Sequence, residues 1–98
     1  MNVALLVPVK AFTRAKQRLR PVLDTRERSE LARMLAERVV RAAGRTPVYV
    51  VCDDEAVQGW AEELGASVLW TARRGLNGAV DDGVAAVTRA GFDHVVVA

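Results

Sequence analysis

The chain has 98 residues, 51% of them hydrophobic and 27% charged, with a formal net charge of +2. That length suits a single domain, 1–98, and the balance excludes a disordered chain and the globally basic make-up of a nucleic-acid coat. No apolar run approaches the roughly 18 residues of a membrane-spanning helix, no charged leader precedes the first apolar run, and the lone Cys52 fits a reducing cytoplasm.

The charges are unevenly placed. Lys10, Arg14, Lys16, Arg18 and Arg20 all precede the first acidic residue, Asp24, after which nine cations face twelve anions. Twelve of the fourteen basic residues are Arg, and the only two lysines, Lys10 and Lys16, share this one stretch. A lysine offers a compact point charge on a flexible stem, suited to a phosphate that moves or leaves.

In chain order, residues 1–9 read as a buried apolar strand that runs into the cationic loop Lys10–Arg20. Asp24 is a good helix N-cap, and Glu27 three residues later completes a capping box. Leu31, Met34, Leu35, Val39 and Ala42 recur at helical spacing, and Gly44 stands where the helix should end. After Pro47, Val48–Cys52 is a second buried strand. Asp53 and Asp54 lead into a short helix with Val57, Trp60, Ala61 and Leu64 on one face and Gly65 closing it. Ser67–Trp70 is a third strand, residues 71–76 a loop, and Asn77 an N-cap for a helix through Arg89. Gly91 ends that helix, and His94–Ala98 opens a fourth strand, inside which the chain stops. Strands alternating with helices predict an α/β fold with a parallel sheet, here the N-terminal part of a larger domain cut within its fourth strand. An exposed final strand allows pairing with a second copy, so the expectation is a homodimer or aggregation.

Two stretches carry chemistry. Ligands of open α/β sheets bind at the carboxyl ends of the strands, where Lys10, Lys16 and Arg18 would meet the phosphates of a nucleotide. The competing reading is a solvated basic loop. The spacing is not a Walker-type phosphate loop, because no Gly occurs before Gly44. The second stretch is Arg73-Arg-Gly-Leu-Asn-Gly78, where exposed amides at a helix start attract anions and Asn77 offers both donor and acceptor. Capping alone would also explain Asn77, so from the residues these two readings stand level. Asp53 and Asp54 read first as turn and cap residues, and Asp81 and Asp82 as favourably placed along the helix dipole. Trp60, Trp70 and Cys52 read as packing residues, and His94 as structural or exposed.

Together, Val7-Pro-Val-Lys10, Ala15-Lys16-x-Arg18-Leu19, the helix opening near Asp24 and Arg74-Gly-Leu-Asn77-x-Ala79 resemble the 2-phospho-L-lactate (or phosphoenolpyruvate) guanylyltransferases of coenzyme F-420 biosynthesis. The resemblance covers the whole chain and implies a Rossmann-like GT-A nucleotidyltransferase fold. It implies an enzyme that joins GTP to a small phosphorylated three-carbon acid, with pyrophosphate released and magnesium as cofactor. Carried over by position, Lys10, Lys16 and Arg18 match the family's catalytic phosphate loop, while Pro8, Gly75, Leu76 and Asn77 match its nucleotide contacts. The family's acidic metal ligand follows the fourth strand directly, past Ala98, so no metal ligand is expected within 1–98. The implied partners are GTP and the phospho-acid, with no nucleic acid and no membrane, in the cytoplasm. The alternatives are another GT-A-like nucleotidyltransferase, against which the absent glycine-rich turn after the first strand counts, and a non-catalytic α/β fragment.

Overall fold

A computed structural model describes residues 2–14, 21–71 and 76–98. The apolar N-terminal run forms β1 (Val3–Pro8), followed by a single 3-10 turn at Phe12–Arg14. Next come α1 (Thr25–Ala42), β2 (Val48–Cys52), α2 (Glu55–Glu63), β3 (Ser67–Trp70), α3 (Leu76–Arg89) and β4 (His94–Val97). The sheet is parallel throughout, in the order β3-β2-β1-β4, with Leu6 opposite Tyr49 on one side and Val97 on the other. This is the α/β architecture expected from the alternation of elements, consistent with a Rossmann-like nucleotidyltransferase fold.

The caps form as the sequence predicts. The Glu27 N–H donates to Asp24 Oδ1 at 2.8 Å, and the Asp24 N–H donates back to Glu27 Oε1 at 3.1 Å. Beyond α1 and α2, Gly44 and Gly65 take φ of +61° and +80°, the left-handed region where a Cβ is penalised. The start of α3 differs from expectation. The helix begins at Leu76, so Asn77 lies inside its first turn and is not the cap. Capping residues specify a helix start to within a residue or two, and the tertiary setting selects among them.

Alternation along the strands divides the interior into two cores. Val50 and Cys52 of β2 face Val40 of α1 and Val57, Trp60 and Ala61 of α2. Ala4, Leu6 and Val51 face α3 through Val87, with Val84, Phe92 and Val95 around them. Leu6 has no exposure at all, and burying a Leu fully is worth about 1.5–3 kcal/mol. Here α3 lies unusually close to the sheet: a Cβ on Gly83 would stand 2.8 Å from both Leu6 methyls and from a Val51 methyl.

Two core assignments need correction. The sheet-facing row of α1 is Arg28, Ala32, Ala36 and Val40, whereas Met34, Leu35 and Ala42 are exposed. Helix α1 carries apolar residues around much of its circumference, so periodicity alone does not say which row docks. Trp70, expected to pack, is 54% exposed, because it ends the edge strand β3. At the other edge β4 leaves Val96 and Val97 about half exposed.

Candidate functional site

In this strand order the chain runs outward from β1 through β2 to β3 and then returns to place β4 on the opposite side of β1. The crevice of such a sheet opens at the carboxyl ends of the two strands flanking the reversal, here β1 and β4. Pro8 sits at that point. The Leu6 carbonyl accepts from the Ala98 N–H at 3.0 Å, and the next residue facing β4, Pro8, has no N–H to continue the ladder. Toward β2 the pairing runs one step further, with the Val9 N–H donating to Val51 O at 2.9 Å. Lys10 emerges exposed directly after it.

The connection that leaves β1 is pinned on both flanks. On the near side Ala11 is buried, and Phe12 meets Trp60 of α2 edge to face, ring centres 5.4 Å apart. On the far side the Arg28 guanidinium reaches back from α1, donating from Nη1 to Leu23 O at 2.9 Å and from Nη2 to Thr25 Oγ1 at 3.2 Å. Arg28 is only 6% exposed, and its Nε has no hydrogen-bond partner. Sequence reading missed this residue. The signal was a charge standing on the row otherwise occupied by Ala32, Ala36 and Val40.

At β3, the Thr71 N–H donates to Cys52 O at 3.0 Å and its hydroxyl donates to Asp82 Oδ2 at 2.6 Å. This bond ties the end of β3 to the second turn of α3. A dipole argument for Asp82 did not foresee it, since Thr71 lies eleven residues away. Beside it a cleft of about 500 Å³ runs along α3 toward the β3 edge, lined among others by Leu69, Trp70, Gly83 and Arg89. None of its lining residues belongs to β1, so the cleft does not coincide with the mouth of that strand.

Of the expected site residues, the structure places Pro8 half-buried and Lys10 exposed at the carboxyl end of β1, and Leu76 and Asn77 in the opening turn of α3. Lys16, Arg18 and Gly75 lie outside the described residues. The end of β3, from which the chain enters α3, is two strands from β1, about 10 Å at ordinary strand spacing. Asp54 is the cap of α2, its Oδ2 accepting from the Val57 N–H at 3.1 Å, as the simpler sequence reading has it. His94 is exposed. Among the described residues no three His, Cys, Asp or Glu side chains converge on a metal position. No helix among them is long and apolar enough to cross a membrane.

Cys52 is 2% exposed, and burial pushes its thiol above the ordinary 9.0. A backbone hydrogen bond at Asp54 opposes the shift, and the charges of Asp53 and Asp54 add to it. A raised value favours the neutral thiol in the folded state. Its contribution to stability is therefore complete below about pH 9 and is lost as pH rises through the folded value. Ellman's reagent should leave Cys52 unreacted at pH 8 until denaturant is added. Stoichiometric reaction of the native protein would show the thiol to be accessible.

A family model described as "Guanylyl transferase CofC like" matches residues 3–98. The chain is 43% identical over 86 residues to a phosphoenolpyruvate guanylyltransferase of Rubrobacter xylanophilus, covering 85% of this chain and 42% of that protein. It is 34% identical over 100 residues to a 2-phospho-L-lactate guanylyltransferase of Methanothermobacter thermautotrophicus, covering 99% and 44%. To a phosphoenolpyruvate guanylyltransferase of Streptomyces coelicolor it is 39% identical over 103 residues, covering 100% and 49%. The chain thus spans less than half the length of these curated relatives.

Proposed function

Because the chain belongs to the CofC-like guanylyl transferase family, we propose that it supplies the GTP-binding part of an enzyme that guanylylates phosphoenolpyruvate or 2-phospho-L-lactate, in coenzyme F-420 biosynthesis. The observation that carries this reading is the carboxyl edge of the sheet, where Lys10 follows β1 and the amides of the first α3 turn follow β3. A cation at one strand end and a helix N-terminus on the same edge suit a polyphosphate.

In the proposed reaction a phosphate oxygen of the acceptor attacks the α-phosphorus of GTP. The bond to the bridging oxygen breaks, and the electron pair leaves with pyrophosphate. Such a transfer asks the protein for positioning and charge neutralisation more than for covalent work. Lys10, Lys16 and Arg18 are assigned to the β- and γ-phosphates. Gly75, Leu76 and Asn77 are assigned to the nucleoside, with Pro8 ending the β1 ladder to leave room beside it.

The test is nucleotide choice. Calorimetric titration should show GTP binding more tightly than ATP, by the loss of a guanine-specific hydrogen bond worth about 1–3 kcal/mol. Equal affinities would remove the base-reading role from the turn at Gly75–Asn77.

A further inference from the structure

Strand β3 is a sheet edge without the usual protection. Among the described residues it pairs with β2 alone, so the backbone N–H and C=O groups along its outer side join no ladder. Soluble proteins ordinarily blunt such an edge with a charge, a proline or a bulge. Here the register against β2 runs unbroken from Ser67 to Trp70, and Ser-Val-Leu-Trp holds neither charge nor proline. The strand also ends on an aromatic: Trp70 is 54% exposed, whereas Trp60 is 8% exposed. Alternation fixes the two faces of the strand. Val68 packs on the α2 side with Val50 and Cys52, and Leu69 on the α3 side with Val51. Trp70, opposite Cys52, shares the α2 side with Val68.

We infer that β3 pairs antiparallel with β3 of a second copy, with Leu69 on the two-fold axis, joining the two sheets edge to edge. Residues directly opposite in an antiparallel pair lie on the same face. An axis between two residues would set an α2-side residue against an α3-side one, which the pleat forbids. An axis on Val68 would set Ser67 against Leu69. An axis on Leu69 sets each Trp70 against Val68 of the other copy and the two leucines against each other, so these pairs are all apolar. An aromatic opposite a β-branched residue is a favourable cross-strand pair. Leu69 also lines the cleft beside α3, which the pairing would extend across the axis. Charge opposes the association. Helix α2 packs over β2 and β3, carries Glu55, Glu62 and Glu63 with no cation, and would come alongside its counterpart. Salt screens that repulsion, so the dimer should tighten as salt is raised. None of this depends on the nucleotide reading.

Sedimentation velocity of the full-length protein should show a monomer–dimer equilibrium that moves toward dimer between about 50 and 500 mM NaCl. Trp70→Lys should raise the dissociation constant at least about tenfold, as loss of an aromatic anchor does. Oxidation of Leu69→Cys with copper phenanthroline should link two chains through the cysteine on the axis. Ser67→Cys should not link, because its counterpart lies four residues along the paired strand, about 13 Å away. The native Cys52, 2% exposed, gives little background. A protein that stays monomeric at about 100 μM overturns the inference, as does a dimer that Trp70→Lys leaves unchanged. Should Trp70→Lys fail to fold, the cysteine variants decide: no linked dimer from Leu69→Cys, or linkage through Ser67→Cys instead, also overturns it.

Discussion

Lys16→Ala should lower turnover of the full-length protein about a hundredfold while leaving the GTP dissociation constant within a fewfold of the parent. In the proposed transfer negative charge builds on the pyrophosphate as it departs, so a cation that follows it would strengthen its hold in the transition state more than in the ground state. Losing such an interaction reduces kcat and kcat/KM together, with little change in binding. One preorganised charge of this kind is worth about 3 kcal/mol, hence the hundredfold. Placement favours Lys16 for this part. It is one of only two lysines in a chain with twelve arginines, and both stand in the connection after β1. The described flanks of that connection are held firmly, by Phe12 on Trp60 and by Arg28 on Leu23. Lys16→Arg should rescue only in part, because the guanidinium is larger and its donors are set in a fork. Steady-state kinetics with GTP and phosphoenolpyruvate or 2-phospho-L-lactate would decide it. Turnover within a fewfold of the parent in Lys16→Ala would make the basic loop a solvated surface.

The second large effect is structural and contrasts two glycines, each inside a helix. Gly59 of α2 faces open space, so Gly59→Ala should raise stability by about 0.5–1 kcal/mol through helix propensity. At Gly83 the same gain of about 1 kcal/mol meets an obstruction. The new methyl would lie 2.8 Å from Leu6 and Val51, which are 0% and 2% exposed and have no room to retreat. Overpacking of this kind costs about 1–3 kcal/mol, so Gly83→Ala should be destabilising by up to about 2 kcal/mol. Gly83→Val should lose about 3 kcal/mol. In a domain this size each kcal/mol moves the midpoint by about 4–8 °C, so thermal unfolding of the pair separates the cases. Equal, positive shifts at the two sites would show that α3 can lift from the sheet without cost. Since Gly83 is one residue from Asp82, the same close approach fixes where the Thr71 hydroxyl finds its acceptor.

What the sequence determined by itself is what short-range chemistry controls. The Asp24–Glu27 capping box, the glycines after α1 and α2, the apolar strands at 48–52 and 67–70, and the α/β class all follow from neighbours a few residues apart. The cationic stretch after β1 was equally legible, because charge sign needs no coordinates. Tertiary structure decided the rest. It chose the 28, 32, 36, 40 row of α1 over Met34 and Leu35, since a helix apolar on several sides has no preferred phase until a sheet is laid against it. By making β3 an edge strand it exposed Trp70, and by seating β4 beside β1 it put the reversal of strand order next to Pro8 and Lys10. It also brought Thr71 to Asp82 and enclosed Arg28, contacts set by how far α3 and α1 settle onto the sheet. Those distances express burial summed over the whole core, a quantity no local window of residues contains.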